Sequence, residues 1–369
     1  MELDIYVLGA GASYVHGAPL TNQILPYALK KTGLRDDERL RLVRAFLRDI
    51  FHFDPDAEDA RWEDYPGLVD VLSMVDVALD RRENLARGYD QEQLRKVRQA
   101  LEYAIFKALE HSLAPQTRRQ RRRSTATREL VKKLEPALAV IISFNYDVIV
   151  DIALSRRFQA DFAFDAADAA RLSEADRLGI DYGLEFANMP PMGPDESRFR
   201  LLKLHGSFNW LWSRVTGNLY FGGLNKAIAV LFDEHSERAL DLGDFYERVH
   251  DPFGEATWDL EPILITPTHL KDLRNVHLGV LWRRAENALR WARQVTFIGY
   301  SLPADDLHIK YLFKRAIETR HLWEEPRIVV VDYAEGNQVT PAQENYQRFF
   351  GKTVRYYRHG FEQYVREEM

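Results

Sequence analysis

Short runs of consecutive apolar and β-branched residues recur along the chain and predict strands. Seven such runs stand out, at residues 5–8, 140–143, 201–204, 263–265, 295–298, 328–331 and 353–357. Several are apolar at successive positions instead of alternating with polar ones, which is typical of strands buried on both faces of a parallel sheet. The pattern therefore predicts an α/β protein with a mostly parallel sheet and helices on both of its faces.

A different periodicity separates the first two predicted strands. Apolar residues there recur every three or four positions, as in Leu40, Val43 and Leu47, which predicts amphipathic helices. Residues 35–134 are therefore predicted to form a helical insertion or subdomain. Residues 1–34 together with 135–369 would form the sheet-containing core, interrupted by loops near 160–198 and 212–259. Repeats are not evident.

Composition narrows the possible classes of protein. The 369 residues are 46% hydrophobic and 29% charged, which fits a globular protein of one large domain with insertions or of two domains. The absence of cysteine excludes disulfides, cysteine nucleophiles, iron–sulfur clusters and the four-cysteine zinc module. A formal net charge of -6 provides no overall field toward nucleic acid or anionic membranes, so direct nucleic-acid binding is not expected.

The N-terminal residues and an arginine-rich run lead to expectations about cellular location and binding partners. Two acids and a strand-like run at the N-terminus do not resemble a signal peptide, and no apolar run approaches the roughly 20 residues that span a bilayer. The expected location is the cytoplasm, without a membrane contact. The arginine-rich run at residues 118–123 would suit a phosphate backbone or an acidic partner, but the lack of interleaved aromatic residues favours a solvated loop.

Small and polar residues directly follow six of the seven predicted strands. We call these segments, each directly after a strand, outlets; they include Thr266-Pro267-Thr268. Because parallel strands end at one edge of an open sheet, the outlets are expected to converge. In the first outlet, Gly9 would permit a tight turn, Gly11 would let the backbone approach a phosphate, and Ser13 could add its hydroxyl. Tyr14 stands where the standard dinucleotide fingerprint has a third glycine. A strand-to-helix turn without a ligand is the alternative.

The second outlet combines an amide with a carboxylate. Asn145 and Asp147 alternate along an extended segment and would point to the same side. Such a pair suits a ribose hydroxyl or a water molecule, and the anion would stabilise positive charge that develops on a sugar ring. Alternatively, Asp147 is the N-cap of the following helix and Asn145 is structural.

Three further candidates follow later strands. His205 is a candidate general base, although a structural or surface histidine is the usual alternative. Ser301 could bond a ribose or a phosphate, and Asp332 could accept hydrogen bonds from a ribose or instead cap a helix. The sequence motifs of zinc peptidases, P-loop proteins, α/β-hydrolases and EF-hands are absent, so these classes have no support.

Taken together, these stretches resemble the sirtuin superfamily, and specifically its bacterial sirtuin-like NAD hydrolases of antiphage defence. The matching segments occur in the family's order and cover about half of the chain. They are Gly9-Ala10-Gly11-Ala12-Ser13 with Gly17 and Pro19, Ser143-Phe144-Asn145-Tyr146-Asp147, Lys203-Leu204-His205-Gly206-Ser207, and Gly299-Tyr300-Ser301-Leu302.

The resemblance implies a sirtuin-type, Rossmann-like core and a set of site residues. Asn145 would orient the nicotinamide ribose and the attacking water, and His205 would be the general base. The glycine loop would wrap the NAD diphosphate, Asp147 would support the ribose site, and Ser301 would contact the adenosine side. The expected NAD-binding residues are Gly9, Ala10, Gly11, Ala12, Ser13, Asp147, Gly299, Tyr300, Ser301 and Asp332.

Two departures from the family narrow the expected chemistry. Deacylating sirtuins have Asp-Phe-Arg where this chain has Leu20-Thr21-Asn22, and they carry a four-cysteine zinc ribbon that is impossible here. The resemblance thus implies NAD as a substrate that is hydrolysed to nicotinamide and ADP-ribose, with no zinc or other metal. A non-catalytic sensor of NAD or ADP-ribose and an NAD-dependent deacylase or ADP-ribosyltransferase remain as alternatives.

Regulation of such an activity is also implied, because uncontrolled loss of NAD is toxic. The expected forms of control are assembly into a homo-oligomer or a partner, such as a helicase-type ATPase or an Argonaute-like defence protein.

Overall fold

The computed structural model describes most of the chain. The described residues are 2–31, 37–113, 124–162, 178–189, 198–213, 216–222, 260–268, 275–304, 306–320, 324–336, 338–351 and 353–369. The arginine run at residues 118–123 lies outside them. The chain divides into two compact units, one formed by residues 1–16, 117–264 and 273–369 and the other by residues 17–116 and 265–272.

Seven parallel strands form the main sheet of the first unit. Numbered in chain order, they are β1 (Leu3–Leu8), β2 (Ala139–Ser143), β3 (Ile180–Asp181), β4 (Phe199–Lys203), β8 (Ala292–Ile298), β9 (Arg327–Val331) and β10 (Arg355–Tyr357). Their order across the sheet is β10-β9-β8-β1-β2-β4-β3, and every neighbouring pair is parallel. The predicted α/β, Rossmann-like class with a mostly parallel sheet is confirmed.

The register brings the strand ends to one edge of the sheet. Leu8 at the end of β1 pairs with Ser143 of β2 and with Ile298 of β8. Strands β2, β4 and β3 lie on one side of β1, and the later strands β8, β9 and β10 lie on the other side. The strand order therefore reverses beside β1. Ligands of open α/β sheets bind at such a switch point, outside the carboxyl ends of the strands.

A second, antiparallel sheet corrects part of the strand prediction. It consists of β5 (Gly206–Ser213), β6 (Leu219–Phe221) and β7 (Leu260–Leu264), in the order β6-β5-β7. The apolar run at 263–265 was therefore wrongly assigned to the parallel sheet, since β7 pairs antiparallel with β5. A run of three apolar residues has no measurable period, so its pairing partner depends on the tertiary structure. Strands β3 and β6 also lie in stretches predicted as loops.

Helices cover the sheet of the first unit. They are α1 (Ala10–Tyr14), α6 (Ala126–Lys133), α7 (Ile149–Phe162), α8 (Val276–Arg290), α9 (Leu307–Glu318), α10 (Pro341–Phe350) and α11 (Gly360–Glu367). Helix α8 contacts β1, β4 and β8, whereas α11 contacts β9 and packs beside α6. Phe297 of β8 is fully buried and lies 5.0 Å, between ring centroids, from both Phe313 and Tyr346. Aromatic packing thus anchors the helices to the central strands.

The second unit is helical and comprises residues 17–116 and 265–272, whereas the predicted helical segment is 35–134; α6, within that segment, belongs to the first unit. Its helices are α2 (Ile24–Pro26), α3 (Glu38–Phe51), α4 (Leu68–Arg81) and α5 (Gln91–Leu113). Asp37 caps α3 by accepting hydrogen bonds from the backbone N–H groups of Arg39 and Leu40. The spaced apolar residues Leu40, Val43 and Leu47 are fully buried, which accounts for their period. Among the described residues, no helix is both long and apolar enough to cross a bilayer.

Candidate active site at the carboxyl edge of the parallel sheet

The glycine loop after β1 packs directly against the turn after β8. The N–H of Gly11 donates to the carbonyl of Gly299 at 2.8 Å. A Cβ atom at Gly11 would lie 2.6 Å from the Cα of Gly299, and one at Gly299 would lie 2.3 Å from the backbone nitrogen of Ala12. Gly299 also has a φ of +62°, which disfavours other residues. The close approach of two loops therefore requires these glycines irrespective of any ligand.

A chain of hydrogen bonds joins the outlets of β1 and β2. The amide nitrogen of Asn145 donates to the Gly9 carbonyl and to Ser13 Oγ, each at 2.9 Å. Ser13 Oγ donates in turn to Asp147 Oδ2 at 2.6 Å. Both hydrogens of the Asn145 amide are used, so its oxygen is the group that can accept a hydrogen bond from a water or a hydroxyl. The structure thus brings three predicted site residues into contact.

Asp147 makes different contacts with its two carboxylate oxygen atoms. Its Oδ1 accepts a hydrogen bond from the backbone N–H of Ile149 at 3.1 Å, which caps the start of α7. Its Oδ2 receives the Ser13 hydroxyl. The side chain is only 3% exposed. The cap interpretation is therefore supported without removing the carboxylate from the hydrogen-bonded chain.

His205 lies between β4 and β5, next to the outlet of β2. The N–H of Leu204 donates to the Ser143 carbonyl at 3.0 Å, which joins the two strand ends. The His205 ring is 5.0 Å, between centroids, from the ring of Phe144, which is 4.7 Å from Tyr300. His205 is 7% exposed, so it is not a surface histidine. Phe144 thus connects the outlets of β4 and β8.

The residues predicted to contact the adenosine side of NAD differ in their exposure and in their hydrogen-bond partners within the protein. The Ser301 side chain is exposed, and the Tyr300 hydroxyl donates to Asp306 at 2.6 Å. Asp332 accepts the hydroxyl of Tyr356 at 2.6 Å. Burial, followed by this hydrogen bond, raises the pKa of the Tyr356 phenol. Asp332 therefore already has a structural partner, and a contact with a ribose would have to share its carboxylate.

The structure does not bring Thr266-Pro267-Thr268 to this edge by the predicted route. That route required the preceding run to be a parallel strand, but β7 is antiparallel. Residues 265–272 belong to the helical unit. Thr266 accepts a hydrogen bond from Arg98 at 3.2 Å within that unit, so it has a structural role there.

Sequence reasoning missed a buried polar cluster beside the site. Lys203, Asp151 and Tyr182 are each 0% exposed. The sequence motifs assign no role to Lys203, and its burial excludes a position on the surface. A lysine inside the predicted run at residues 201–204, where its neighbours are all leucines, was the available signal, because a lysine is rarely fully buried unless it is paired.

A narrow crevice opens among the residues of this site. Its lining consists of Leu8, Ala12, Ser13, Thr127, Ser143, Asn145, Asp147, Ile149 and Val150. Within the described residues, no group of three or more histidine, cysteine, aspartate or glutamate side chains is arranged to hold a metal ion. The polar side chains here are an amide, a carboxylate and hydroxyls, which suit recognition of a polyhydroxylated ligand.

Comparison with known proteins gives matches only at the level of structure. No protein-family model matches the chain, and no curated protein matches its sequence. It is similar to Sir2Tm bound to a propionylated peptide, with 14% sequence identity and a TM-score of 0.39 over 99% of this chain and 90% of that chain. A Sir2–p53 peptide–NAD+ structure shares 12% identity with a TM-score of 0.41, again over 99% and 90%. For a Sir2 homologue–NAD complex the values are 13% and 0.38, with the same coverage.

Proposed function

We propose that this protein binds NAD and hydrolyses its nicotinamide N-glycosidic bond to give nicotinamide and ADP-ribose. The observation that carries the proposal is the hydrogen-bonded chain from Asn145 through Ser13 to Asp147. It lies at the carboxyl edge of a parallel sheet, beside the point where the strand order reverses. Of these residues, Asn145 and Asp147 are the ones that the sirtuin-like motifs assign to the ribose site, whereas Ser13 belongs to the loop assigned to the diphosphate.

The chemistry of NAD explains why so few groups suffice. Nicotinamide leaves as a neutral base from a cationic glycoside, so no general acid is needed. The site must stabilise positive charge on the ribose and must position a water, in contrast to the paired carboxylates of most glycosidases. Asp147 supplies a buried carboxylate, and the Asn145 amide oxygen, its nitrogen being held by Gly9 and Ser13, accepts a hydrogen bond from a hydroxyl or a water.

His205 acts in this proposal as the general base. It would remove the proton from the attacking water as the C–O bond forms and the bond to nicotinamide breaks. Its ring is held against Phe144, the residue immediately before Asn145. The two predicted catalytic residues therefore belong to adjoining strand ends that are also joined through the backbone of Ser143 and Leu204.

The glycine loop would contact the diphosphate through its backbone. Gly9 and Ala10 begin the turn into α1, where the Gly11 N–H donates to the Gly299 carbonyl and the Ala12 N–H to the Gly9 carbonyl. A diphosphate would have to share these donors. The Ser13 hydroxyl already donates to Asp147, so in this proposal it links the catalytic side chains instead of binding phosphate. Gly299, Tyr300, Ser301 and Asp332 would contact the adenosine half.

We further propose that the protein is an antiphage or abortive-infection effector, since the motifs resemble those of bacterial sirtuin-like NAD hydrolases. NAD loss is harmful to the cell that carries the enzyme, so its activity requires control. Homo-oligomer formation or a defence partner, such as a helicase-type ATPase or an Argonaute-like protein, would supply that control.

The direct test is release of nicotinamide and ADP-ribose from NAD by the purified protein over a range of protein concentrations. We expect both products in equal amounts, and a rate per molecule that rises with protein concentration if assembly is the trigger. Binding of NAD by calorimetry without cleavage at any concentration would instead favour a sensor. Nicotinamide release that depends on an acylated peptide would favour a deacylase. Absence of both binding and cleavage would contradict the proposal.

Replacing His205 by alanine is expected to lower the cleavage rate by about 100-fold or more, the usual range for losing a general base. The readout is nicotinamide release at saturating NAD. His308→Ala is a suitable control, because His308 is half-buried on α9 and has no assigned role in the site. Equal activity of the two variants would remove His205 from the mechanism.

A further inference from the structure

A buried charge pair lies directly behind the segment that carries Asn145 and Asp147. Lys203 Nζ donates to Asp151 Oδ2 at 3.2 Å and to the backbone carbonyl of Asp147 at 2.6 Å. Asp151 Oδ1 accepts the hydroxyl of Tyr182 at 2.6 Å. The ammonium group therefore joins the last residue of β4, the first turn of α7 and the site segment.

Burial of these side chains costs desolvation free energy, so stability alone explains the ion pair poorly. Lys203, Asp151 and Tyr182 are all 0% exposed. Burial, and then the neighbouring Asp151 charge, raises the pKa of the Tyr182 phenol well above its usual value. A buried ion pair costs desolvation that often equals or exceeds its attraction, and well-packed apolar residues can replace such pairs without loss of stability. A geometric requirement is a better explanation of its presence.

The geometric requirement concerns the backbone between Phe144 and Asp147. The carbonyl of Tyr146 accepts hydrogen bonds from the Phe208 N–H and the Ser207 hydroxyl, both at 3.3 Å. These two contacts are long, whereas the Lys203 contact with the next carbonyl is short and charge-assisted, which makes it the stronger restraint. Lys203 is also two residues before His205, so its side-chain contact with the Asp147 carbonyl ties the segment of Asn145 to the strand that leads to His205.

We infer that Lys203 is a positioning residue, which holds the Asn145–Asp147 segment at the end of β4 and so sets the distance between Asn145 and His205. It does not touch the substrate. Asp151 and Tyr182 orient the ammonium group toward the Asp147 carbonyl. This inference deepens the proposed hydrolase function and rests on it for its kinetic test.

The test separates positioning from stability by removing the charges singly and together. Lys203→Met leaves Asp151 as an unpaired buried charge and is expected to lower the melting temperature. Lys203→Met/Asp151→Asn removes both charges, keeps an acceptor for the Tyr182 hydroxyl, and is expected to recover most of that loss. Its kcat should nevertheless stay at least about 10-fold below wild type, with KM within about threefold, because small misplacements of catalytic groups slow the chemical step.

A matched control pair lies in the helical unit. Lys107 and Glu110 are 8% and 7% exposed and are 2.7 Å apart. The variant Lys107→Met/Glu110→Gln removes the same kinds of charge and is expected to keep the wild-type kcat. If the Lys203/Asp151 double variant recovers kcat together with stability, Lys203 is merely structural and the inference is overturned.

A second measurement does not depend on catalysis. Amide hydrogen exchange of peptides that cover residues 144–148 should be faster in the Lys203/Asp151 double variant than in wild type, whereas the Lys107/Glu110 control should match wild type there. Unchanged exchange would contradict the positioning role even if NAD is cleaved. Faster exchange in a protein that does not cleave NAD would leave the restraint established and refute only the proposed function.

Discussion

Replacing Asn145 by alanine is expected to lower NAD cleavage by about 100- to 1,000-fold, the range observed when one preorganised polar contact to a reacting centre is removed. The amide is held rigidly, since its nitrogen donates to Gly9 and Ser13, and this fixes the direction of its oxygen. The alanine variant loses the acceptor for the ribose hydroxyl or water as well as the connection to Ser13. Nicotinamide release under saturating NAD measures the effect.

The control for this prediction must lose a comparable pair of hydrogen bonds. Asn188 provides it, because its side chain exchanges two hydrogen bonds of 2.8 Å with the backbone of Phe221. Each variant loses two hydrogen bonds, and each loss is expected to cost about 0.5 to 1.5 kcal/mol of stability, the usual net contribution of a hydrogen bond, since Asn145 is half-buried and Asn188 is exposed. Only Asn145→Ala should lose catalysis. Full activity of a folded Asn145→Ala protein would refute the proposed hydrolase mechanism.

Gly299→Ala is expected to have the largest effect on stability. A Cβ atom there would meet the backbone nitrogen of Ala12 at 2.3 Å and the Gly11 carbonyl carbon at 2.4 Å, and neither backbone atom can rotate away. The left-handed conformation adds about 1 to 2 kcal/mol for a residue other than glycine. Overpacking of this kind typically costs a further 1 to 3 kcal/mol or more. We therefore expect a loss of about 3 kcal/mol in urea unfolding.

Gly336→Ala separates the two contributions. Gly336 has a similar φ of +65°, but a Cβ atom there would have no neighbour within 4 Å. Its substitution should cost only the conformational part, about 1 to 2 kcal/mol. If both variants lose the same free energy of unfolding, the β1 and β8 outlets are not packed as tightly as the structure indicates. Gly299→Ala should also reduce NAD binding, since the same turn is proposed to contact the adenosine half.

The elements of the parallel sheet were largely predictable because burial on both faces produces a distinctive run of apolar residues. Strands β1, β2, β4, β8 and β9 carry such a run, whereas β10, at the edge of the sheet, is Arg355-Tyr356-Tyr357 and is exposed or half-buried. The short strand β3, with two residues, and the run that became β7 carry too little pattern to identify a partner. The segment 206–213 begins with Gly206 and Ser207, small and polar residues that follow a predicted strand, so it was not itself predicted as a strand. Pairing with β6 and β7 makes it a strand instead.

In the candidate site, the residue types could be predicted from the sequence, whereas their contacts could not. The presence of Asn145, Asp147 and His205 after strand ends was evident from the sequence, and parallel topology then implied that they converge. Their hydrogen-bond partners were not evident. Ser13 was expected to face a phosphate, yet its hydroxyl joins Asn145 to Asp147, two residues more than 130 positions away in the chain.

The sequence by itself determined the alternation of buried strands and amphipathic helices, the exclusion of cysteine chemistry, and the identity of the polar residues at the strand ends. These properties depend on local spacing and on residue type, which a single chain displays directly. Only the tertiary structure decided that 263–265 pairs antiparallel, that the glycine loop fits against Gly299, and that Lys203 is buried against Asp151 and the Asp147 carbonyl. Each of these depends on contacts between distant segments, whose free energy is set by packing and desolvation that no local pattern encodes.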